Sequence, residues 1–216
     1  MKWIVIAVWV SAILYGHYRG QVRASWQKVF LDHSAVLAPI NALMVLFSKV
    51  TTKPFVPLSD LPELQVLQDN WQVFRDEALH LSELQRIKAP DKHDDLGFNS
   101  FFKYGWKRFY LKWYDAQHPS AAELCPQSVA ILKSIPTIKA AMFAELPPGG
   151  QLNRHRDPYA GSLRYHLGLV TPNNDDCYIE VDGQRHSWRD GQGVVDRKST
   201  RLNSSHVKRS RMPSSA

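Results

Sequence analysis

The 216 residues predict an α+β protein: an amino-terminal helix, a helical front region, and a β-rich carboxy-terminal half. Three observations carry that prediction. Residues 3–15, WIVIAVWVSAILY, are almost wholly apolar; apolar residues from Leu64 to Leu81 recur at steps of three and four; and after Lys139 short runs of strand-like residues are separated by tight-turn signals. A composition of 44% hydrophobic and 22% charged residues belongs to a globular domain rather than a disordered or multi-spanning chain. Two cysteines, Cys125 and Cys177, are too few for a disulfide scaffold and lack zinc-ribbon spacing, which points to buried thiols in a reduced compartment.

No formal charge lies between Lys2 and Arg19. As a helix those residues would reach about 24 Å, near the thickness of a bilayer core, with Lys2 and Arg19 able to snorkel outward. Trp3, Tyr15 and Tyr18 suit the interfacial belts, and LYGHYRG offers no small-x-small cleavage site. Residues 1–19 are therefore expected to be an uncleaved membrane anchor. Arg19, Arg23 and Lys28 follow it, which places the bulk of the chain on the cytoplasmic side. A second apolar stretch, Ala35 to Phe47, contains Pro39 and Asn41 and reads as an interfacial or core-packed helix within a helical, membrane-proximal region, 20–97.

Leu64, Leu67, Trp71, Phe74, Ala78 and Leu81 fall on one face of a helix of about five turns, with Pro62 in its first turn. In FNSFFKYGWKRFYLKWY, Phe109, Leu111 and Trp113 alternate with Arg108, Tyr110 and Lys112, as in a half-buried strand whose basic face is open to an anion. Ser120 to Glu123 has capping-box spacing and is expected to start a short helix. Beyond it, AAMFAEL, SLRYHLGLV, CYIEV and QRHSW read as strands. Asp182-Gly183 is a strong hairpin signal, and the absence of crossover helices predicts an antiparallel sandwich or barrel.

The formal charge of +7 would favour a nucleic-acid partner if it were spread over the body. Instead, residues 196–216, DRKSTRLNSSHVKRSRMPSSA, carry six Lys/Arg against one Asp, which leaves only +2 on the rest, and no nucleic acid is expected. This tail has no aromatic residue and no regular period, and DRKSTRLNSSH resembles the translation of a sequencing-library adapter. It is read as a non-native tail, excluded from functional reasoning.

Chemistry concentrates in NRHRDPYAGSLRYHLG. On an extended segment His155 and Asp157 leave the same face, and an imidazole with a carboxylate suits Fe(II) while leaving coordination positions open. By itself such a triplet is more often a solvated surface pair, and Arg164 and His166 read first as a polar strand face.

The segments DHSAVLAPINALMVLFSKV, DLGFNSFFKYGWKRFYLKWY, CPQSVAILKSIPTIKAAMFAELPPG and RHRDPYAGSLRYHLGLVTPNNDDCYIEVDGQRHSWRDGQGVV resemble the aspartyl/asparaginyl β-hydroxylase family, specifically its bacterial lipid A hydroxylase branch. The resemblance implies a double-stranded β-helix (jelly roll) over residues 98–195, truncated at Val195. It also implies Fe(II) and 2-oxoglutarate as cofactors, with His155 and Asp157 as iron ligands. Arg164 and His166 would line the 2-oxoglutarate pocket, with Trp106 as an aromatic wall. The implied substrate is lipid A or a related acylated amphiphile, hydroxylated at carbon 2 of a fatty acyl chain by an enzyme at the bacterial inner membrane, its catalytic domain facing the cytoplasm. Two features of the family are missing: a second iron histidine and a later arginine find no counterpart after Val195, where His206 is the only histidine. Lost last strands would leave open sheet edges and an incomplete iron site, so the chain as it stands is expected to be inactive. A peptidyl hydroxylase and a non-catalytic membrane-tethered jelly-roll binding protein are the competing readings.

Overall fold

The computed structural model describes the chain except residues 24, 32–34, 52, 87–106, 115, 117, 147–148, 156–158, 198–202 and 208–216; for 28, 31, 84–86, 107, 151–155 and 203–207 it describes the backbone alone. Helix α1, Lys2–Tyr18, leads into the short α2, Trp26–Leu31, and α3, Ala38–Leu46. Uninterrupted aliphatic and aromatic residues favour α1, and Pro39 fits the first turn of α3, where its missing N–H costs nothing. The imidazole of His17 stacks on Trp26 at 3.9 Å and Trp9 Nε1 donates to the Ala35 carbonyl at 2.8 Å, folding α2 and the start of α3 back along α1.

The helix expected over 1–19 forms, with 17 residues that reach about 26 Å; among the described residues no helix is long and apolar enough to cross a membrane, so the spanning part of that expectation is not met.

The apolar stripe from Leu64 to Leu81 is buried as its spacing predicts, although not in one helix. A 3-10 turn at Pro62–Leu64 runs into α4, Gln65–Asp69, and α5 follows at Trp71–Arg86. The break falls at Asn70, where the backbone N–H and the side-chain amide both donate to the Val66 carbonyl, at 3.2 and 2.8 Å. Leu64, Leu67, Phe74 and Leu81 nonetheless share one core with Phe109 and Leu132.

Strand β1 is Phe55–Val56, and β2, Lys107–Trp113, pairs antiparallel with β3, Ala140–Glu145. Phe109 and Leu111 are buried, but a register shift between Tyr110 and Lys112 rotates Trp113 out of the alternation and leaves it exposed. The basic face is reduced as well, because Lys112 Nζ reaches the Leu132 carbonyl at 3.4 Å. Helices α6, Pro119–Leu124, and α7, Pro126–Lys133, cover this hairpin. The expected capping box is absent: Pro119 opens α6, so Ser120 lies inside the helix, fully buried. The cap that does form comes from α5, where the Glu77 carboxylate accepts from the backbone N–H groups of Gln127 and Ser128 at 3.0 and 2.9 Å. Beside it the buried Cys125 thiol is pushed up to about 12 by desolvation, with the Glu77 charge adding to the effect.

The carboxy-terminal half contributes β4, Gln151–His155; β5, Arg164–Leu167; β6, Cys177–Val181; β7, Gln184–Ser187; β8, Gly193–Asp196; and β9, Asn203–Val207. Strands β1-β8-β5 form one antiparallel sheet and β4-β9-β6-β7 another. Asp182 and Gly183, both at positive φ, turn β6 into β7 as their sequence predicts. Asp182 is fully buried and accepts from Val22 N at 2.8 Å, tying the segment after α1 to this turn. The tail, which has no period, still supplies β9: unpaired edges of β4 and β6 accept a ladder of backbone hydrogen bonds whatever the side chains are.

Glu77→Gln is expected to lower stability by about 1–2 kcal/mol through loss of the charge-assisted cap. Urea unfolding should show a lower midpoint at unchanged slope; an unmoved midpoint would deny the cap any energetic role.

Candidate active site in the cleft between the two sheets

Period-two alternation divides β5. Tyr165 and Leu167 pack against the core, and burial pushes the Tyr165 phenol up to about 12, with Asp69 adding to it. The backbone of Gly193 lies against the Tyr165 ring, so that a Cβ there would strike Tyr165 Oη. Arg164 and His166 occupy the opposite face, paired across the ladder with Asp196 and Val194. His166 Nε2 is 3.1 Å from Asp196 Oδ2; with the carboxylate ionised, the imidazole N–H donates. The Asp196 side chain is fully buried and that of His166 partly exposed, so the pair fixes the ring while leaving one edge open to a ligand.

The second sheet closes over this face. The Trp188 ring lies 5.6 Å from His166 and 5.5 Å from His186, and His186 lies 6.0 Å from Phe55 of β1. Trp188 is held by its neighbours: Arg189 donates to the Asn174 carbonyl at 2.7 Å and to Asp175 Oδ1 at 2.6 Å, while Asp190 accepts from Thr171 N at 2.7 Å. The Arg189 hydrogen bond also draws the exposed Asp175 carboxyl below its ordinary range. His186 Nε2 is buried with no hydrogen-bond partner among the described residues. Burial first, then the electrostatic influence of His166 and Arg189, pulls the His186 imidazole below 6.5.

Of the residues expected from sequence, Arg164 and His166 come together on β5. His155 ends β4, its Cα opposite Asn203 of β9. Its side chain, and Asp157 and Trp106 altogether, lie outside the described residues. Among the described residues no group of three His, Cys, Asp or Glu could hold a metal ion. The groups described on this face are the Arg164 guanidinium, the open edge of the His166 imidazole and the buried Nε2 of His186. His186 and Trp188 were not expected in the site. Their signal was available in QRHSW, where the two-residue spacing puts both on one side of the chain.

Next to the cleft, a cavity of about 190 Å³ is lined by Met44, Ser48, Val50, Ala160, Leu163 and Arg197. Ala160 N donates to Asn41 Oδ1 at 2.8 Å, which ties α3 to the segment that leads into β5.

A family model described as Aspartyl/Asparaginyl beta-hydroxylase matches residues 68–200, more than half of the chain. The ornithine lipid ester-linked acyl 2-hydroxylase of Rhizobium tropici is 38% identical over 91 residues, 42% of this chain and 32% of that protein. The aspartyl/asparaginyl beta-hydroxylase of Homo sapiens is 23% identical over 185 residues, 83% of this chain and 22% of that protein. Aspartate beta-hydroxylase domain-containing protein 2 of Homo sapiens is 31% identical over 96 residues, 42% of this chain and 26% of that protein. The chain thus spans a third or less of the length of these relatives.

The depressed His186 implies a definite pH response. Above 6.5 the imidazole is neutral in both folded and unfolded chains, and its contribution to stability is complete. As pH falls below 6.5 the unfolded chain takes up the proton first, so stability declines until the folded-state value is passed. Proton NMR should place the His186 midpoint below 6.5, and His186→Gln should flatten this part of the stability curve; a midpoint at or above 6.5 contradicts the assignment.

Proposed function

Because the chain belongs to the aspartyl/asparaginyl β-hydroxylase family, we propose that it acts as an Fe(II)/2-oxoglutarate-dependent hydroxylase of a fatty acyl chain, at carbon 2, on lipid A or a related amphiphile. In this reading the antiparallel sheets are portions of a double-stranded β-helix, and His155 and Asp157 are the iron ligands. Held there, Fe(II) and 2-oxoglutarate would supply, with dioxygen as oxidant, the chemistry in which one oxygen atom enters the C–H bond to give an alcohol and the other enters succinate as 2-oxoglutarate loses carbon dioxide. Arg164 and His166 bind the carboxylates of the cosubstrate, Trp106 walls its pocket, and Trp188 keeps water from the His166 face.

The observation that carries the lipid reading is the Asn41–Ala160 tie, which joins the apolar α3 to the approach to β5 and borders the cavity at Met44 and Leu163. An acyl chain leaving a bilayer beside α3 meets that cavity before it meets Arg164. The similarity to an ornithine lipid acyl 2-hydroxylase supports the same substrate class. We place the protein at the cytoplasmic face of the inner membrane, held there by α1 without a full span. Residues 196–216 stand, in this reading, where the family carries its second iron histidine and its arginine for the distal carboxylate, so Asp196 and Arg197 occupy positions foreign to the working enzyme.

The test compares the chain as given with one whose coding sequence past codon 195 is restored from genomic DNA. Each is supplied with Fe(II), 2-oxoglutarate and lipid A or ornithine lipid, and both succinate and oxygen incorporation are measured. The restored chain is expected to add one oxygen at carbon 2. His155→Ala or Asp157→Ala should abolish turnover, and Arg164→Ala should raise KM for 2-oxoglutarate about 10- to 100-fold through loss of a charge-assisted pair. Succinate formed only with a peptide substrate would move the assignment to the protein-hydroxylating branch. No iron-dependent succinate with any substrate would reject it in favour of a binding protein.

A further inference from the structure

Exposed apolar surface is distributed unevenly. Of 26 large hydrophobic side chains exposed among the described residues, 19 fall within residues 1–47, whereas the other seven are scattered from Val66 to Val170. Most of the first group lies on α1 and on α3 with its flanking Phe47; Trp26 and Phe30 belong to α2 and Val36 precedes α3. Helix α3, APINALMVL, has one polar side chain, Asn41, and that group is engaged by the backbone of Ala160. Its remaining surface is left outward: Ile40, Leu43, Met44 and the flanking Phe47 recur at helical spacing, and Leu43, Leu46 and Phe47 are 56%, 64% and 80% exposed. An apolar stripe of this kind on a helix already docked by its opposite side faces an apolar medium or a partner.

Charge decides between these. Residues 1–57 contain six Lys/Arg and one Asp. Arg19 and Arg23, at the domain-facing end of α1, lie over the rings of Tyr15 and Tyr18 at 6.0 and 4.9 Å, an aromatic and cationic pairing suited to a headgroup layer. Lys49 and Lys53 follow α3 directly. An apolar face rimmed by cations matches an anionic leaflet and would repel a second copy of itself.

We propose that α3 is a second membrane-embedded element, its Ile40–Phe47 face entering the same leaflet as α1 while Arg23, Lys49 and Lys53 meet anionic headgroups. The inference rests on the reading that α1 contacts a bilayer. It adds that a second element, which borders the cavity at Met44, meets the bilayer.

The full chain is purified in mild detergent and floated with vesicles of phosphatidylcholine, with and without phosphatidylglycerol. The wild type should float with both and more strongly with the anionic lipid. Lys49→Glu with Lys53→Glu should weaken only the anionic component, by about fivefold per charge. Because Cys125 and Cys177 are buried, Leu46→Cys gives one exposed thiol for an environment-sensitive fluorophore. Its emission should shift to the blue on vesicles and be quenched by nitroxides on the acyl chains. A wild type that does not float overturns both this inference and the α1 reading, whereas flotation with a fluorophore that stays in water overturns this one alone. A blue shift without vesicles that grows with protein concentration assigns the face to a second copy and also overturns it.

Discussion

Strand β5 can face the core with only every second residue, and the arrangement of the site follows from that constraint. Tyr165 and Leu167 are held in the interior with the stripe of α4 and α5, which leaves Arg164 and His166 no alternative but the cleft. His186 and Trp188 approach the same face from the second sheet, and Arg189 and Asp190 tie the loop after Trp188 to the 171–175 segment.

The front of the molecule is organised by the opposite requirement. Helices α1 and α3 keep much of their apolar surface outside the core and satisfy their few polar groups against the domain or one another. Trp9 caps the Ala35 carbonyl, His17 stacks on Trp26, and Asn41 reaches Ala160. The Asp182 carboxylate holds the segment after α1 to the β6–β7 turn. The apolar front and the candidate site are therefore joined by short, directional contacts, so that a substrate delivered beside α3 would arrive in a defined position relative to β5.

The tail illustrates the difference between pattern and pairing. Asn203–Val207 has neither amphipathic alternation nor β-branched residues over most of its length, yet it forms the strand between β4 and β6. Backbone N–H and C=O groups along two open edges attract any extended segment within reach, and side chains then matter mainly through register. Asp196 and Arg197, which begin the same segment, engage His166 and Ser48 by charge and proximity alone.

Much of this was legible in the residue order. Local chemistry determined the apolar α1, the buried stripe from Leu64 to Leu81, the Asp182-Gly183 hairpin, and the sharing of one strand face by Arg164 and His166, because each depends on periodicity or on the φ that a residue tolerates. Only the tertiary structure decided the rest. The stripe divides into two helices at Asn70, a bulge turned Trp113 outward, and Glu77 capped a helix some 50 positions away in sequence. His186 and Trp188 met His166 across two sheets. Contacts of that range depend on how elements pack, and packing energy is shared among many side chains rather than written in the spacing of any few.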